Sequence, residues 1–164
     1  MKKQQKGFSL IELLIVVAII LIIAAIAIPN LIRSKIAANE ASSVASLRTI
    51  NTAEIVYSST YNTTTVFSDT LASLGDGGTA ANCAGTTTIP TSTSACLIDS
   101  ALENATQTAK SGYLFTYTPV AGSYSVTSGP AALNSTGVRY FYTDQSAVIR
   151  ANAGAAASNT SSPI

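Results

Sequence analysis

The sequence predicts an α+β fold: a long N-terminal α-helical spine packed on a small antiparallel β-sheet head. Three observations carry that expectation. From Phe8 to Ile28 the chain is apolar, with Glu12 as its single charge. Between Ile32 and Tyr57 apolar residues recur at spacings near three and four, the period of one helix face. From Tyr113 onward, short stretches of Tyr, Phe, Val and Thr alternate in character and are separated by turn residues, the pattern of antiparallel strands. A sheet with one apolar face needs a cover, and the amphipathic half of the helix supplies it.

Taken in order, the chain opens on Lys2, Lys3 and Lys6. The apolar run that follows, about 21 residues at 1.5 Å each, makes roughly 32 Å of helix, enough to cross a hydrocarbon core. The lysines favour a cytoplasmic start and an outward-facing remainder, a bias that Arg33 and Lys35 on the far side weaken. Ala24, Ala25 and Ala27 imitate the cleavage site of a secretory signal, but a carboxylate inside the apolar run argues against that reading. Glu12 lies near one end of the run, where a charge costs less than at the centre and can be neutralised by a partner. A cut between Gly7 and Phe8 would create that partner, the new α-amino group of Phe8. It would lie four residues from Glu12 in one helix, and within reach of the carboxylate of a neighbouring, staggered helix. In a low-dielectric core that pairing is strongly preferred over an unpaired charge. The competing reading is a plain signal anchor whose Glu12 faces lipid headgroups, and it gives no reason for Gly7, Phe8 and Glu12 at this spacing.

The stretch Lys6-Gly7-Phe8-Ser9-Leu10-Ile11-Glu12-Leu13-Leu14 closely resembles the leader junction of type IV prepilins and type II secretion pseudopilins, and the resemblance runs on to Pro29. It implies cleavage after Gly7 by a prepilin peptidase and N-methylation of Phe8. It implies a role for Glu12 in subunit registry and assembly, and a helix-kinking role for Pro29. The expected organisation is a leader peptide over 1–7, a transmembrane or filament-core helix over 8–29, the amphipathic half of the spine over 30–58 and a globular head over 59–164.

After Pro29 the helix resumes, because Ile32, Ile36, Val44, Leu47, Ile50 and Tyr57 form a stripe, with Arg33, Lys35, Glu40, Arg48 and Glu54 mostly off it. Continued to Tyr57, the helix is roughly 75 Å long. Ser58 to Thr65 ends it with polar and β-branched residues. Thr70 to Ser94 reads as a loop region with a turn at Gly75-Asp76-Gly77-Gly78. That turn lacks the Lys-Ser/Thr end and the preceding strand of a phosphate loop. Leu97 to Ala109 reads as a short helix, with Asp99 and Glu103 both facing solvent. Strands are expected at Tyr113–Thr118, around Tyr124 and Val126, at Val138–Thr143 and at Ala147–Arg150, with turns at Pro119–Gly122 and Asp144–Ser146: a four-stranded meander. The tail from Asn152 reads as frayed.

Two cysteines, Cys83 and Cys96, lie in the polar half. An even pair in an exported chain reads as a disulfide, against the alternative of two free thiols in a loop; it would stabilise by roughly 3 kcal/mol. With no His in the chain, the commonest acid/base group and neutral metal ligand are missing. The carboxylates after Pro29 are scattered and no serine has an evident partner base, so no catalytic residue, metal site or cofactor is expected. Net charge of +1 excludes a strong nucleic-acid footprint.

The order of spine, variable loop and antiparallel sheet also looks like a pilin head. NEASSVASLRTINTAE, KSGYLFTY and VRYFYTDQSAVIRAN resemble small pilin-like proteins of some Gram-negative lineages. The resemblance implies a structural subunit of a type IV pilus that polymerises with itself. Its partners would be the prepilin peptidase, the inner-membrane assembly platform and its motor ATPase. The precursor would sit single-pass in the inner membrane, and the assembled fibre outside the cell would serve adhesion, motility or DNA uptake. The alternatives are a type II secretion pseudopilin, whose usual C-terminal calcium loop is missed here because Asp144 stands alone, or a minor pilin.

Overall fold

The computed structural model describes residues 9–61, 66–78, 83 and 89–164. Among the described residues are a long helix, two short ones and an antiparallel sheet, the expected pilin-like α+β architecture. The elements are α1 (Leu10–Tyr61), α2 (Leu71–Leu74), α3 (Ser100–Glu103), β1 (Tyr113–Val120), β2 (Ser123–Pro130), β3 (Arg139–Asp144), β4 (Arg150–Ala153) and β5 (Ser162–Pro163). The chain divides into two units after Lys35. The first is the apolar part of α1. The second holds the rest of α1 and the head.

In the second unit α1 presents Leu47, Ile50, Ala53 and Tyr57, spaced three, three and four apart, and all four are buried. Their spacing puts them on one helix face. The sheet order is β1-β2-β3-β4-β5, antiparallel throughout. Side chains alternate between its faces, so Tyr113 and Phe115 of β1, Tyr124 and Val126 of β2, and Phe141 of β3 reach the same core as the helix stripe. The stripe is narrower than expected: Val44 is half-buried, and Ile32 lies exposed in the first unit.

Polar bonds set how the helix lies on the sheet. Ser43 Oγ and Ser128 Oγ are 2.6 Å apart. Asn51 Nδ2 donates to Thr143 Oγ1 at 2.9 Å, and the Tyr124 hydroxyl donates to Asn51 Oδ1 at 3.0 Å. These residues are buried and their polar groups are paired, as a low-dielectric interior requires.

Five expectations change. Helix α1 runs to Tyr61, past the polar Ser58–Ser59, whose hydroxyls bond back to the carbonyls of Ile55 and Val56. The loop region contains α2, capped by Thr70 Oγ1 on the Ser73 N–H at 3.2 Å. The helix expected over 97–109 shrinks to α3 and one 3-10 turn, Asn104–Thr106; Asp99 caps its start by accepting the Leu102 N–H at 2.6 Å. Strand β1 runs through Pro119 to Val120, and the hairpin turns at Ala121-Gly122, where Gly122 has φ 72°. The fourth strand begins at Arg150 rather than ending there.

The tail is also not frayed. Strand β5 pairs with β4, Arg150 Nη1 donates to the Ser161 carbonyl at 3.0 Å, and the Ile164 N–H donates to Ile149 O at 3.0 Å. Pro163 fits there because an edge strand can spare a donor.

Candidate functional site

The apolar half of α1 forms the first unit. Its residues from Leu10 to Leu31 are exposed, Ala24 excepted: Leu10 is 79% exposed, Ile22 65% and Leu31 70%. An apolar surface this long, exposed among the described residues, needs lipid or protein around it. Length and composition make this helix a membrane-span candidate, and none of its most apolar window is buried. A helix suits such surroundings because it pairs its own backbone groups.

Ser9 and Glu12 build the helix start. The Ser9 carbonyl accepts the Leu13 N–H at 3.3 Å, which places Ser9 at the cap. Glu12, three residues on, turns back so that its Oε2 accepts the Ser9 N–H at 2.9 Å. This is the glutamate half of a capping box, written in the sequence as S-x-x-E. Part of the answer to the odd carboxylate is therefore local: Glu12 takes up a backbone donor that the helix leaves unpaired. Gly7 and Phe8, expected at the cleavage point, lie outside the described residues.

Pro29 stands inside α1. Having no N–H, it cannot bond the Ala25 carbonyl one turn back. One turn further, Ser34 Oγ donates to the Asn30 carbonyl at 3.0 Å.

In the second unit the helix is clamped to the head by acids that periodicity placed off the buried stripe. Glu40 is 6% exposed. Its Oε1 accepts the N–H groups of Val138 and Arg139 at 3.0 and 3.1 Å, and its Oε2 accepts Arg139 Nε at 2.7 Å. Burial raises the Glu40 carboxyl, but these donors and the guanidinium charge outweigh it and hold the group below its ordinary value.

Glu54 is fully buried. It accepts the Ser68 N–H at 3.1 Å, the Ser68 hydroxyl, and the Tyr117 hydroxyl at 2.6 Å. Burial, then Glu54 itself, pushes the Tyr117 phenol far up. Tyr113, whose hydroxyl donates to the Arg139 carbonyl at 2.8 Å, is pushed up to about 12, mainly by burial.

The cysteines are joined. Cys83 and Cys96 form a disulfide with Cα atoms 5.7 Å apart. Segment 95–98 bonds onto α2 through Ala95 N–H to Ser73 O at 2.9 Å and Leu97 N–H to Leu74 O at 2.7 Å. Among the described residues no three potential metal ligands of the His, Cys, Asp or Glu type come together. Sequence reasoning missed Glu40, Glu54 and Glu103 as buried groups. The one available signal was position: Leu47, Ile50 and Glu54 are spaced three and four apart and so share a helix face.

Residues 2–28 match the family model described as the prokaryotic N-terminal methylation motif. Over 96 residues the chain is 38% identical to the type IV wide pilus major component PilA4 of Thermus thermophilus, an overlap covering 58% of this chain and 73% of that protein. No solved structure matches. The overlap is far longer than the apolar segment, and by it the chain belongs to the type IV pilin family.

Proposed function

We propose that this chain is a structural, non-catalytic subunit of a type IV pilus. It is made as a precursor with a leader over residues 1–7, held in the inner membrane by 8–29, and cut after Gly7 by a prepilin peptidase, which also methylates Phe8. The subunit is then drawn into a helical filament through its apolar helix, with an assembly platform and motor ATPase as separate proteins. Residues 30–58 carry the head, 59–164, on the filament surface. Glu12 pairs with the Phe8 amine of a neighbour, and Pro29 adapts the helix to its packing.

The observation that carries this reading is the exposed apolar surface from Leu10 to Leu31, most of which lies inside the segment that matches the methylation motif, residues 2–28. Copies of one chain can cover that surface for each other once they leave the lipid. Kinship with a pilus major component supports a pilus over a secretion pseudopilus. The test is fractionation of cells carrying Gly7→Glu beside the parent. The expected result is an uncut precursor in the membrane and no surface fibres. Normal fibres from the variant would overturn the processing step, and parent protein confined to the periplasm would favour the pseudopilus.

A further inference from the structure

The turn Gly75–Gly78 is built around two buried carboxyl groups. Glu103, the last residue of α3, is 4% exposed and Asp76 is 8% exposed. Glu103 Oε2 accepts the Asp76 N–H at 2.9 Å, and its Oε1 accepts the Gly78 N–H at 2.6 Å. Asp76 Oδ1 accepts the same Gly78 N–H at 3.1 Å. Oxygens of two different carboxyl groups thus converge on one donor. If both were ionised, they would repel each other in a site with little water. One proton between them removes the repulsion and turns one acceptor into a donor.

The surroundings fit that state. From its own element, Glu103 meets Asp99, which is exposed and lies 3.6 Å from Lys110 Nζ. Across the adjacent groove stand Asp69 and Tyr117, which add no positive charge. Glu103 makes no salt bridge among the described residues. Gly75 leaves room for it: a Cβ there would run into the Glu103 carboxylate. The same turn anchors the disulfide, since the Cys96 N–H donates to the Gly75 carbonyl at 2.9 Å and Cys83 Sγ lies 3.7 Å from that oxygen.

We propose that Asp76 and Glu103 share a single proton and act as a pH-sensitive latch that holds the Gly75–Gly78 turn, and with it the Cys83–Cys96 bridge, against α3. The latch rests on the head alone and is independent of the filament reading. Burial first, then the Asp76 side chain, raises the Glu103 carboxyl above its ordinary value. A carboxyl raised in the folded state binds its proton more tightly there than when unfolded. The latch is therefore closed at low pH. It weakens as pH rises from the ordinary glutamate value through the raised one.

The test is a side-chain carboxyl ¹³C NMR titration of the full chain in detergent micelles, with amide exchange of Asp76 and Gly78 followed across the same range. Glu103→Gln and Asp76→Asn serve as variants. The Glu103 carboxyl should titrate above the ordinary glutamate range. Asp76→Asn should move the Glu103 titration down. Amide protection in the parent should fall about tenfold for each unit by which the Glu103 carboxyl is raised, and this step should vanish in Glu103→Gln. A Glu103 carboxyl titrating in the ordinary range, or a Glu103 curve unmoved by Asp76→Asn, would overturn the latch. The parent titration decides even if a variant fails to fold.

Discussion

Glu12 joins a local and a proposed intermolecular role, and two substitutions separate them. Its Oε2 caps the Ser9 N–H within the chain, while the filament reading gives its charge to a neighbour's amine. Glutamine keeps an acceptor at this position and loses the charge. Glu12→Gln and Glu12→Ala should both insert in the membrane and both fail to yield normal fibres, as counted by electron microscopy. Normal fibres from Glu12→Gln would reduce Glu12 to a helix cap. Glu40 works differently, because its three donors lie in the head. Glu40→Ala should lower stability by about 1–3 kcal/mol, since it strands the Val138 and Arg139 N–H groups. The Glu40 carboxyl is held low in the folded state, so its contribution is present above the ordinary carboxyl range and lost as pH falls through the lowered value. Denaturant midpoints measured against pH should show this acid loss in the parent and less of it in Glu40→Ala. Glu54 shares a helix face with Leu47 and Ile50, but a carboxylate reads as a solvated residue by its type, so neither buried acid on α1 was placed in the core from sequence. What buries Glu40 is a loop 98 residues away in sequence.

The elements differ in how far the sequence announces them. Helix α1 is legible from its long apolar run and its Leu47–Ile50–Tyr57 stripe. Strands β1 to β3 are legible because Tyr124 and Val126 alternate with Ser and Thr, and because residues 113–117 and 140–142 are dense in aromatic residues that favour strands. Helix α2 has four residues, too few to show a helical period. Strand β5 is Ser162–Pro163, which carries no alternation at all and is defined by its partner β4. Glu103 was expected to face solvent together with Asp99, because the two lie four apart off the apolar side of the helix pattern. The 3-10 turn after α3 and the Gly75–Gly78 turn enclose it instead. Close approaches of this kind give further tests. Gly137 lies where a Cβ would collide with the Tyr113 hydroxyl, which bonds Arg139 O. Gly137→Ala should displace that ring and lower stability by about 1–3 kcal/mol, read as a fall in thermal midpoint.

Across the whole molecule two kinds of surface divide the chain. The head closes its own core with helix, sheet and a disulfide. Replacing both Cys83 and Cys96 by Ser should lower head stability by about 2–4 kcal/mol, measured by denaturant titration, with the loop more easily cut by protease. The apolar segment Leu10–Leu31 stays exposed among the described residues. The central claim is that this segment is freed by a cut after Gly7 and covered by copies of itself. The most direct measurement is intact mass and N-terminal sequence of the protein from sheared surface fibres. A chain that starts at N-methyl Phe8 and is the main component of long fibres is the predicted result. A chain that still starts at Met1, or one cut near Ala27, would contradict it.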